Sequence, residues 1–268
     1  MYLTVNGHTT FCYTGGKAFD PGRPSVLFIH GVLNDHSVWI LQSRYFANHG
    51  CNVLAADLPG HCKSAGVPPA SVEQAAAFVL GLLDAAGLAQ AALVGHSFGS
   101  LAVLEAAAQA PQRVTRLALV GTAYPMRVSP ALLDGALNRP MQAIDMVNSY
   151  SHSMLAPPPS ALGPGTWLVG SSRALMRRVL ASNSAHNLFH TGFKACDDYR
   201  NGETAMDRVS CPTLFLLGRD DQMTLPKSAQ TLIERARQGR VVSVPAGHQL
   251  MTEAPDATLF ALKEFLQG

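Results

Sequence analysis

Charged residues are few in this 268-residue chain, and long apolar runs are absent. Asp, Glu, Lys and Arg make up 14% of the sequence, the net charge is +2, and the basic residues are scattered. This pattern excludes the basic surface typical of nucleic-acid-binding proteins. Every apolar run is broken by glycine, proline or charge before it reaches the roughly 20 residues that a membrane-spanning helix needs, so we predict no membrane span.

Cysteine is scarce, and its spacing suits neither a ligand set nor a disulfide framework. No Cys-x-x-Cys or Cys/His zinc pattern occurs, so we predict free thiols and no metal site. No cysteine follows a sharp turn, which disfavours a catalytic cysteine. The segment Met1–Val5 lacks the basic and apolar regions of a secretory signal, which favours a cytoplasmic protein. The five cysteines are Cys12, Cys51, Cys62, Cys196 and Cys211.

The strongest functional signal is the segment Gly95–Gly99, which places Ser97 between two glycines. The apolar run Ala91–Val94 precedes it, and the helix-like run Leu101–Ala110 follows. A strand that turns into a helix within one or two residues strains the residue at the corner, and the glycines make room for the turn. The hydroxyl is then exposed at a helix N-terminus, where negative charge is favoured. We interpret Ser97 as a nucleophile, although the motif alone also occurs by chance.

Short apolar runs alternate with segments of helical spacing along most of the chain. Strands are predicted at Tyr2–Asn6, His8–Tyr13, Ser25–His30, Cys51–Ala56, Ala91–His96, Val114–Val120, Thr213–Leu217 and Arg240–Val244. Helices are predicted at Ser37–Asn48, Ser71–Ala86, Phe98–Ala110, Pro226–Ala236 and Ala254–Leu266. This alternation predicts an α/β fold with a mostly parallel sheet and helices on both faces. Reactive groups in such sheets gather at the carboxyl ends of the strands.

The alternation is interrupted between residues 124 and 207. This region has helix-like patches and turn signals at 156–159 and 163–165, and the chain shows no internal repeat. We therefore predict a core formed by residues 1–123 and 208–268. The intervening residues 124–207 are predicted to form a helical cap, or lid, inserted between two strands and lying over the carboxyl edge of the sheet.

An activated serine needs a base, and the base needs an acid that orients it. His248 directly follows the last predicted strand, and Asp220 and Asp221 follow the strand before it. The order serine, aspartate, histidine is the one expected for this type of corner. Asp221 is preferred as the acid, with Asp220 kept as a substitute. His96 is a rival base, but neighbouring side chains in a strand-like segment point to opposite sides, so we expect it to pack beneath the turn.

Catalysis also needs two backbone N–H groups aimed at the developing oxyanion. We expect the amide of Phe98, which follows the nucleophile, and the amide of Val32, which follows the predicted strand Ser25–His30. The alternative interpretation of His30-Gly31 is a simple tight turn.

The predicted cap is rich in Met, Leu and Trp, which form either its own small core or part of an apolar substrate pocket. Arg173 and Arg177 share a predicted helix face there, which is more typical of a solvated surface than of an anion site. The residues expected to line the substrate pocket are Leu33, Met126, Trp167, Met223 and Leu250.

These motifs together resemble the α/β-hydrolase fold superfamily, in the branch with a helical cap between strands six and seven. The resemblance covers nearly all of the chain outside the cap. The matching segments are Phe28–Gly31 with Trp39, Asp57–His61 with Ser64, Gly95–Gly99, Pro212–Leu214 with Gly218–Asp221, and Gly247-His248 with Glu253–Pro255. In this family the acid usually lies three residues after the glycine that ends strand seven, which implies Asp221. The alternative position after strand six, Gly121–Tyr124, has no carboxylate.

One position departs from the family pattern. Members commonly have glycine where this chain has Cys62, so a positive φ there would strain the loop.

The resemblance implies a serine hydrolase of the carboxylesterase type. It would cleave an ester-like or activated carbonyl bond of a small, largely apolar substrate through an acyl-enzyme intermediate. Relatives that act on alkyl halides or epoxides are known for Asp at the corner, so Ser97 argues against both activities. The alternatives are hydrolysis of carbon–carbon bonds in ring-cleavage products, a ligand receptor and a cofactor-free oxygenase. No metal or organic cofactor is expected, and the sequence leaves open the substrate and whether the protein is a homodimer.

Overall fold

A computed structural model describes residues 1–20, 22–154 and 166–268, and it contains one eight-stranded sheet. The strands are β1 (Tyr2–Val5), β2 (His8–Tyr13), β3 (Ser25–Ile29), β4 (Asn52–Ala56), β5 (Ala91–His96), β6 (Val114–Val120), β7 (Thr213–Gly218) and β8 (Gly239–Val244). Their order in the sheet is β1-β2-β4-β3-β5-β6-β7-β8. The first two strands are antiparallel, β2 pairs antiparallel with β4, and the remaining pairs are parallel. The predicted mostly parallel sheet is therefore confirmed.

Helices cover both faces of the sheet. They are α1 (Ile40–Asn48), α2 (Val72–Ala85), α3 (Phe98–Gln109), α4 (Pro130–Asn138), α5 (Pro140–Ser151), α6 (Leu168–Ala181), α7 (Leu188–Asp198), α8 (Gly202–Arg208), α9 (Gln230–Arg235), α10 (Leu250–Glu253) and α11 (Pro255–Gln267). Two of the predicted helices begin with a 3₁₀ turn instead. His36–Trp39 precedes α1, and Pro226–Ala229 precedes α9.

The core divides into two clusters because successive side chains of a strand point to opposite faces. On β3, Val26 and Phe28 pack with residues of α1 and α11, while Leu27 and Ile29 pack with residues of α2 and α3. The central strands β3 to β7 are buried along nearly their whole length, which is why they are apolar runs without a polar side.

Helices α4 to α8 lie in the chain between β6 and β7, where the strand–helix alternation stops. Residues of α4, α5, α6 and α7 form a third apolar cluster of their own. Helix α8 differs, because its Ala205 and Met206 belong to the cluster shared with α2 and α3. The turn signals at 156–159 and 163–165 lie outside the described residues. Within the described ranges, none of the helices has both the length and the apolar character required to cross a bilayer.

Candidate active site

The backbone turns sharply at Ser97, between the last residue of β5 and the first residue of α3. Ser97 has φ 54° and ψ −121°, in a region that side-chain-bearing residues rarely adopt. A Cβ on Gly95 would lie 2.1 Å from the carbonyl oxygen of Gly99, and one on Gly99 would lie 2.4 Å from that of Ile29. Both glycines are therefore required by close backbone approach, and the corner inferred from the motif is present.

The loops after β7 and β8 bring an acid and a base together. The Nδ1 atom of His248 lies 2.8 Å from Oδ2 of Asp221, and both side chains are buried. The main-chain N–H of His248 donates to the carbonyl of Ser151, which fixes the loop from the other side. Asp220 points elsewhere, because its carboxylate is half-exposed and pairs with Arg219. The geometry thus pairs His248 with Asp221 and leaves Asp220 on the surface.

The carboxylate of Asp221 is also held by its own loop. Its Oδ1 accepts hydrogen bonds from the amides of Met223 and Thr224, both at 2.8 Å, and its Oδ2 accepts one from the Thr224 hydroxyl at 2.7 Å. Burial opposes the charge, but His248 and the donors of Thr224 outweigh it and hold the pKa of Asp221 below its ordinary value. The acid is therefore ionised and locked in place.

Thr224 is a site residue that the sequence reasoning missed. Its hydroxyl lies 3.0 Å from Nδ1 of His248 and 3.1 Å from the carbonyl oxygen of Gly121, at the end of β6. It therefore joins the acid, the base and the neighbouring strand. The available signal was its position three residues after Asp221, because aspartate often binds backbone and hydroxyl donors two or three residues ahead.

His96 packs beneath the base rather than acting beside it. Its Nε2 donates to the carbonyl oxygen of His248 at 2.9 Å, and its ring is buried. Burial, together with the nearby His248, lowers the pKa of His96 to about 3, so the ring is neutral. A ring with so low a pKa takes up a proton poorly, so His96 is poorly suited to be the base.

Ser97 and His248 line the same cavity, which has a volume of about 450 Å³ and is called the main cavity below. The hydrogen bonds of the His248 ring run to Asp221 and Thr224, and within the described ranges none joins it to the Ser97 hydroxyl. Such bonds are often long or unaligned before a substrate is bound. The apolar residues of the wall are Met126, Val128, Ala131, Leu132, Met146, Val147, Phe193 and Met223.

Two of the five expected pocket residues, Met126 and Met223, line the main cavity, and the other three do not. Leu250 is buried against the α1 and α11 face, because α10 turns it toward the far side of the sheet. Leu33 is fully buried in the cluster formed by α4 to α7, behind the cavity wall. Trp167 is 58% exposed and its indole ring lies beside Gly170. These three placements correct the expected lining.

The lining residues that sequence reasoning missed show helical spacing. Val147 and Tyr150 lie three residues apart on α5, and Phe193 and Cys196 lie three apart on α7. Residues three apart on a helix share a face. That spacing was the signal, but it did not say whether the face meets a cavity or the core.

The loop after β3 approaches the nucleophile closely. A Cβ on Gly31 would lie 3.0 Å from the Cβ of Ser97, and Val32 lines a small cavity of about 20 Å³ together with Ser97 and His248. Leu33 has φ 51° in the tight turn that the Asn34 amide closes onto the Gly31 carbonyl. Val32 therefore lies in a loop that closely approaches Ser97, and the role of its amide stays a prediction.

The amide of Phe98 is the second expected donor. Phe98 is the first residue of α3, and the first N–H groups of a helix have no acceptor within it. This amide is therefore free for an oxyanion beside Ser97.

Asp35 and His36, which follow β3, form a compact polar group with Asp57, which follows β4, and their ligand-type atoms lie within 4.8 Å of one another. Their oxygens are already engaged, because Asp57 accepts from the amide and ring of His36 and Asp35 accepts from Ser37 and from Arg178 on α6. This group ties α6 to the core rather than offering free ligands.

Cys62 lies in the loop after β4 and has φ 46°. The departure from glycine therefore falls on a residue with the strained backbone conformation anticipated for it, and its amide is held by the Ser182 hydroxyl at 3.0 Å.

The chain belongs to the alpha/beta hydrolase fold family, whose model matches residues 24–255. It is 27% identical over 258 residues to the sn-1-specific diacylglycerol lipase ABHD11 of Mus musculus, covering 92% of this chain and 82% of that protein. It is 26% identical over 305 residues to epoxide hydrolase A of Mycobacterium tuberculosis, covering 94% and 93%. The family predicted from the motifs is confirmed.

Solved structures show the same fold. The enol-lactonase from Burkholderia xenovorans LB400 aligns with a TM-score of 0.84 at 22% identity, covering all of both chains. The esterase from Exiguobacterium antarcticum aligns with a TM-score of 0.83 at 16% identity, covering 100% of this chain and 99% of that one. Family membership and these similarities together identify an α/β hydrolase.

Proposed function

We propose that this protein is a serine hydrolase of the carboxylesterase type, with Ser97 as nucleophile, His248 as base and Asp221 as the orienting acid. One observation carries the proposal. The strained Ser97 corner and the His248 ring line one cavity, and Nδ1 of that ring is bound by a buried, ionised Asp221. A bond from Nδ1–H to the carboxylate leaves Nε2 as the acceptor, which is the tautomer a general base needs.

The reaction proceeds by acyl transfer to water. Ser97 Oγ attacks the carbonyl carbon of the substrate while its proton passes to Nε2 of His248. The amides of Val32 and Phe98 bind the oxyanion, and the leaving group departs with the proton from His248. Water then attacks the acyl-enzyme, gives its proton to His248 and releases the acid as Ser97 is reprotonated.

The substrate is small and carries an apolar part. The wall of the main cavity is predominantly aliphatic, sulfur-containing or aromatic, which favours an acyl chain or ring over a sugar or nucleotide. Helices α4, α5 and α7 contribute wall residues, so these helices act as a cap that shapes the pocket. The substrate class that fits is an ester, thioester or lactone.

We do not propose epoxide opening for this protein, although one of its relatives is an epoxide hydrolase. Covalent opening of an epoxide by a carboxylate gives an ester that water can cleave, whereas opening by Ser97 would give a stable ether. A serine at the corner therefore favours carbonyl substrates.

Covalent labelling and turnover test the proposal. A fluorophosphonate should label the wild type, and p-nitrophenyl esters should release p-nitrophenol continuously. Ser97→Ala should abolish labelling and lower turnover by about 10⁴-fold or more, and His248→Gln should lower turnover similarly. Ser149→Ala, an exposed serine on α5, is the matched control and should keep both activities.

Two results would contradict the proposal. Substantial turnover by Ser97→Ala would exclude the mechanism. A single stoichiometric burst without further turnover would favour the ligand receptor.

A further inference from the structure

The main cavity has one permanently charged side chain in its wall, that of Arg127. The other described lining residues are apolar or carry a hydroxyl, thiol, amide or imidazole, and no carboxylate is among them. The nearby cap arginines have ion-pair partners, because Arg173 pairs with Asp145 and Arg178 with Asp35. Arg127 forms no ion pair with any of the described residues, so its guanidinium is free to bind a ligand.

An acid that contacts this stretch of backbone is already engaged. Oδ1 of Asp197 accepts the amide of Val128, the residue after Arg127, at 3.0 Å. The Asp197 side chain is thus bound to the backbone rather than to the guanidinium. Asp197 keeps its negative charge but does not line the cavity, so Arg127 is the one permanently charged residue in the described lining.

Arg127 also lines a second cavity of about 410 Å³, which shares a wall with the first. The shared residues are Met126, Arg127, Gln222, Met223 and Thr224. Thr224 contacts the acid and base, so this wall runs from the catalytic residues to the free guanidinium. A substrate that lies along the wall would meet the nucleophile at one end and a positive charge at the other.

We propose that Arg127 determines substrate specificity by binding a carboxylate of an otherwise apolar substrate. A planar guanidinium binds carboxylate through two parallel hydrogen bonds, which gives orientation as well as attraction. Arg127 is exposed, so water screens its charge, and the two hydrogen bonds rather than the charge alone carry the selectivity. This inference rests on the proposed function and narrows its substrate class to carboxylate-bearing esters, thioesters or lactones.

Matched pairs of esters test the inference. One arm compares p-nitrophenyl half-esters of straight-chain dicarboxylic acids of increasing length with their methyl-capped neutral forms. A second arm places the carboxylate on the leaving group, with its methyl ester as the neutral match. The wild type should prefer the charged member of a pair in at least one arm. Arg127→Gln should lower kcat/KM for that member by about tenfold or more and leave the neutral member within about twofold.

The controls separate charge from structure. Arg177→Gln removes an exposed cap arginine that does not line the cavity and should leave the preference intact. Arg127→Lys keeps the charge without the planar fork and should retain part of the preference. Added salt should reduce the preference of the wild type and leave that of Arg127→Gln unchanged.

The inference is overturned if the wild type and Arg127→Gln show the same preference in both arms, or if the wild type prefers the neutral esters. Labelling of Ser97 would in that case still support the proposed function. If no ester is hydrolysed and Ser97 is not labelled, the proposed function fails, and binding then decides the inference separately. Calorimetry should show that Ser97→Ala binds the half-ester and that Ser97→Ala/Arg127→Gln binds it at least about tenfold more weakly. Equal binding overturns it.

Discussion

Asp221 has all the acceptor positions of its carboxylate occupied. Two backbone amides and the Thr224 hydroxyl come from its own loop, and the fourth donor is the ring of His248. A carboxylate has about four lone-pair sites, so no position is left for water or a second base. The local loop therefore holds the carboxylate independently of His248, which gives the preorganised pair that the proposed mechanism needs.

Replacing either aspartate of the pair at the end of β7 distinguishes the two candidate acids. Asp221→Asn should lower kcat by about 10³- to 10⁴-fold, because the amide favours the wrong imidazole tautomer. Asp220→Asn is the matched control and should change kcat by less than about twofold, since its carboxylate meets only Arg219 at the surface. Steady-state kinetics on a p-nitrophenyl ester provides the measurement. A larger loss in Asp220→Asn would reverse the assignment.

Site residues whose geometry is set by the neighbouring sequence could be predicted from the sequence alone. The corner at Ser97 follows from two glycines that lie within two residues of it, and Asp221 and His248 follow directly from strand ends. The role of Thr224 depends on contacts with Gly121 and His248, far away in the chain, so only its bond to Asp221 had a local signal. Leu33 and Leu250 were misplaced because an apolar side chain beside a catalytic loop can turn either into the cavity or into the core.

Helix α3 is held at both ends by interactions that matter for the site. Its N-terminus carries the nucleophile corner, and Glu105, two turns later, is buried. Glu105 Oε2 accepts hydrogen bonds from the Tyr199 hydroxyl at 2.7 Å and from Asn201 at 2.9 Å. These donors lie between α7 and α8, so a buried carboxylate ties the end of the helical region to the helix that presents Ser97.

Removing the Tyr199 hydroxyl should destabilise the protein without altering its chemistry. Tyr199→Phe should lower the free energy of unfolding by about 2 kcal/mol, because a hydrogen bond to a buried charge is lost and Glu105 is left under-satisfied. The value of kcat/KM should stay within about twofold. Tyr2→Phe, which removes an exposed hydroxyl, should have little effect on stability.

Urea unfolding and ester kinetics provide the two measurements. Unchanged stability in Tyr199→Phe would show that the tie is dispensable. The sequence did not reveal this tie, because Glu105 and Tyr199 are 94 residues apart. It did reveal the elements that the tie joins, since strand and helix periodicities are local.

At the scale of the whole molecule, three buried histidines set the pH at which the fold fails. His30, His61 and His96 lie at the carboxyl edge of the sheet, and their side chains are engaged in neutral forms. His30 accepts the amide of Leu58 on Nε2, which a protonated ring cannot do, and His61 binds the carbonyl of Pro59. Burial lowers the pKa of all three, to about 3 for His61 and His96.

The sign of the effect follows from proton binding. In the unfolded chain these rings take up protons near pH 6.5, whereas in the folded protein His61 and His96 resist protonation until about pH 3 and the pKa of His30 is also lowered. Over that window the unfolded state binds more protons, so the stability of the fold decreases as the pH falls. Each ring that stays neutral in the fold contributes on the order of 1 kcal/mol per pH unit to this slope.

Urea unfolding between pH 7 and pH 4.5 should therefore show a plateau above about pH 6.5 and a steep loss below it. A loss of this size is large compared with the free energy of unfolding of a typical domain, which is roughly 5 to 15 kcal/mol. His61→Gln removes one of these protons and should make the slope shallower, whereas His49→Gln, an exposed control, should leave it unchanged. A flat profile across this window would mean that the folded rings take up protons as readily as the unfolded ones, contrary to the Nε2 contact of His30.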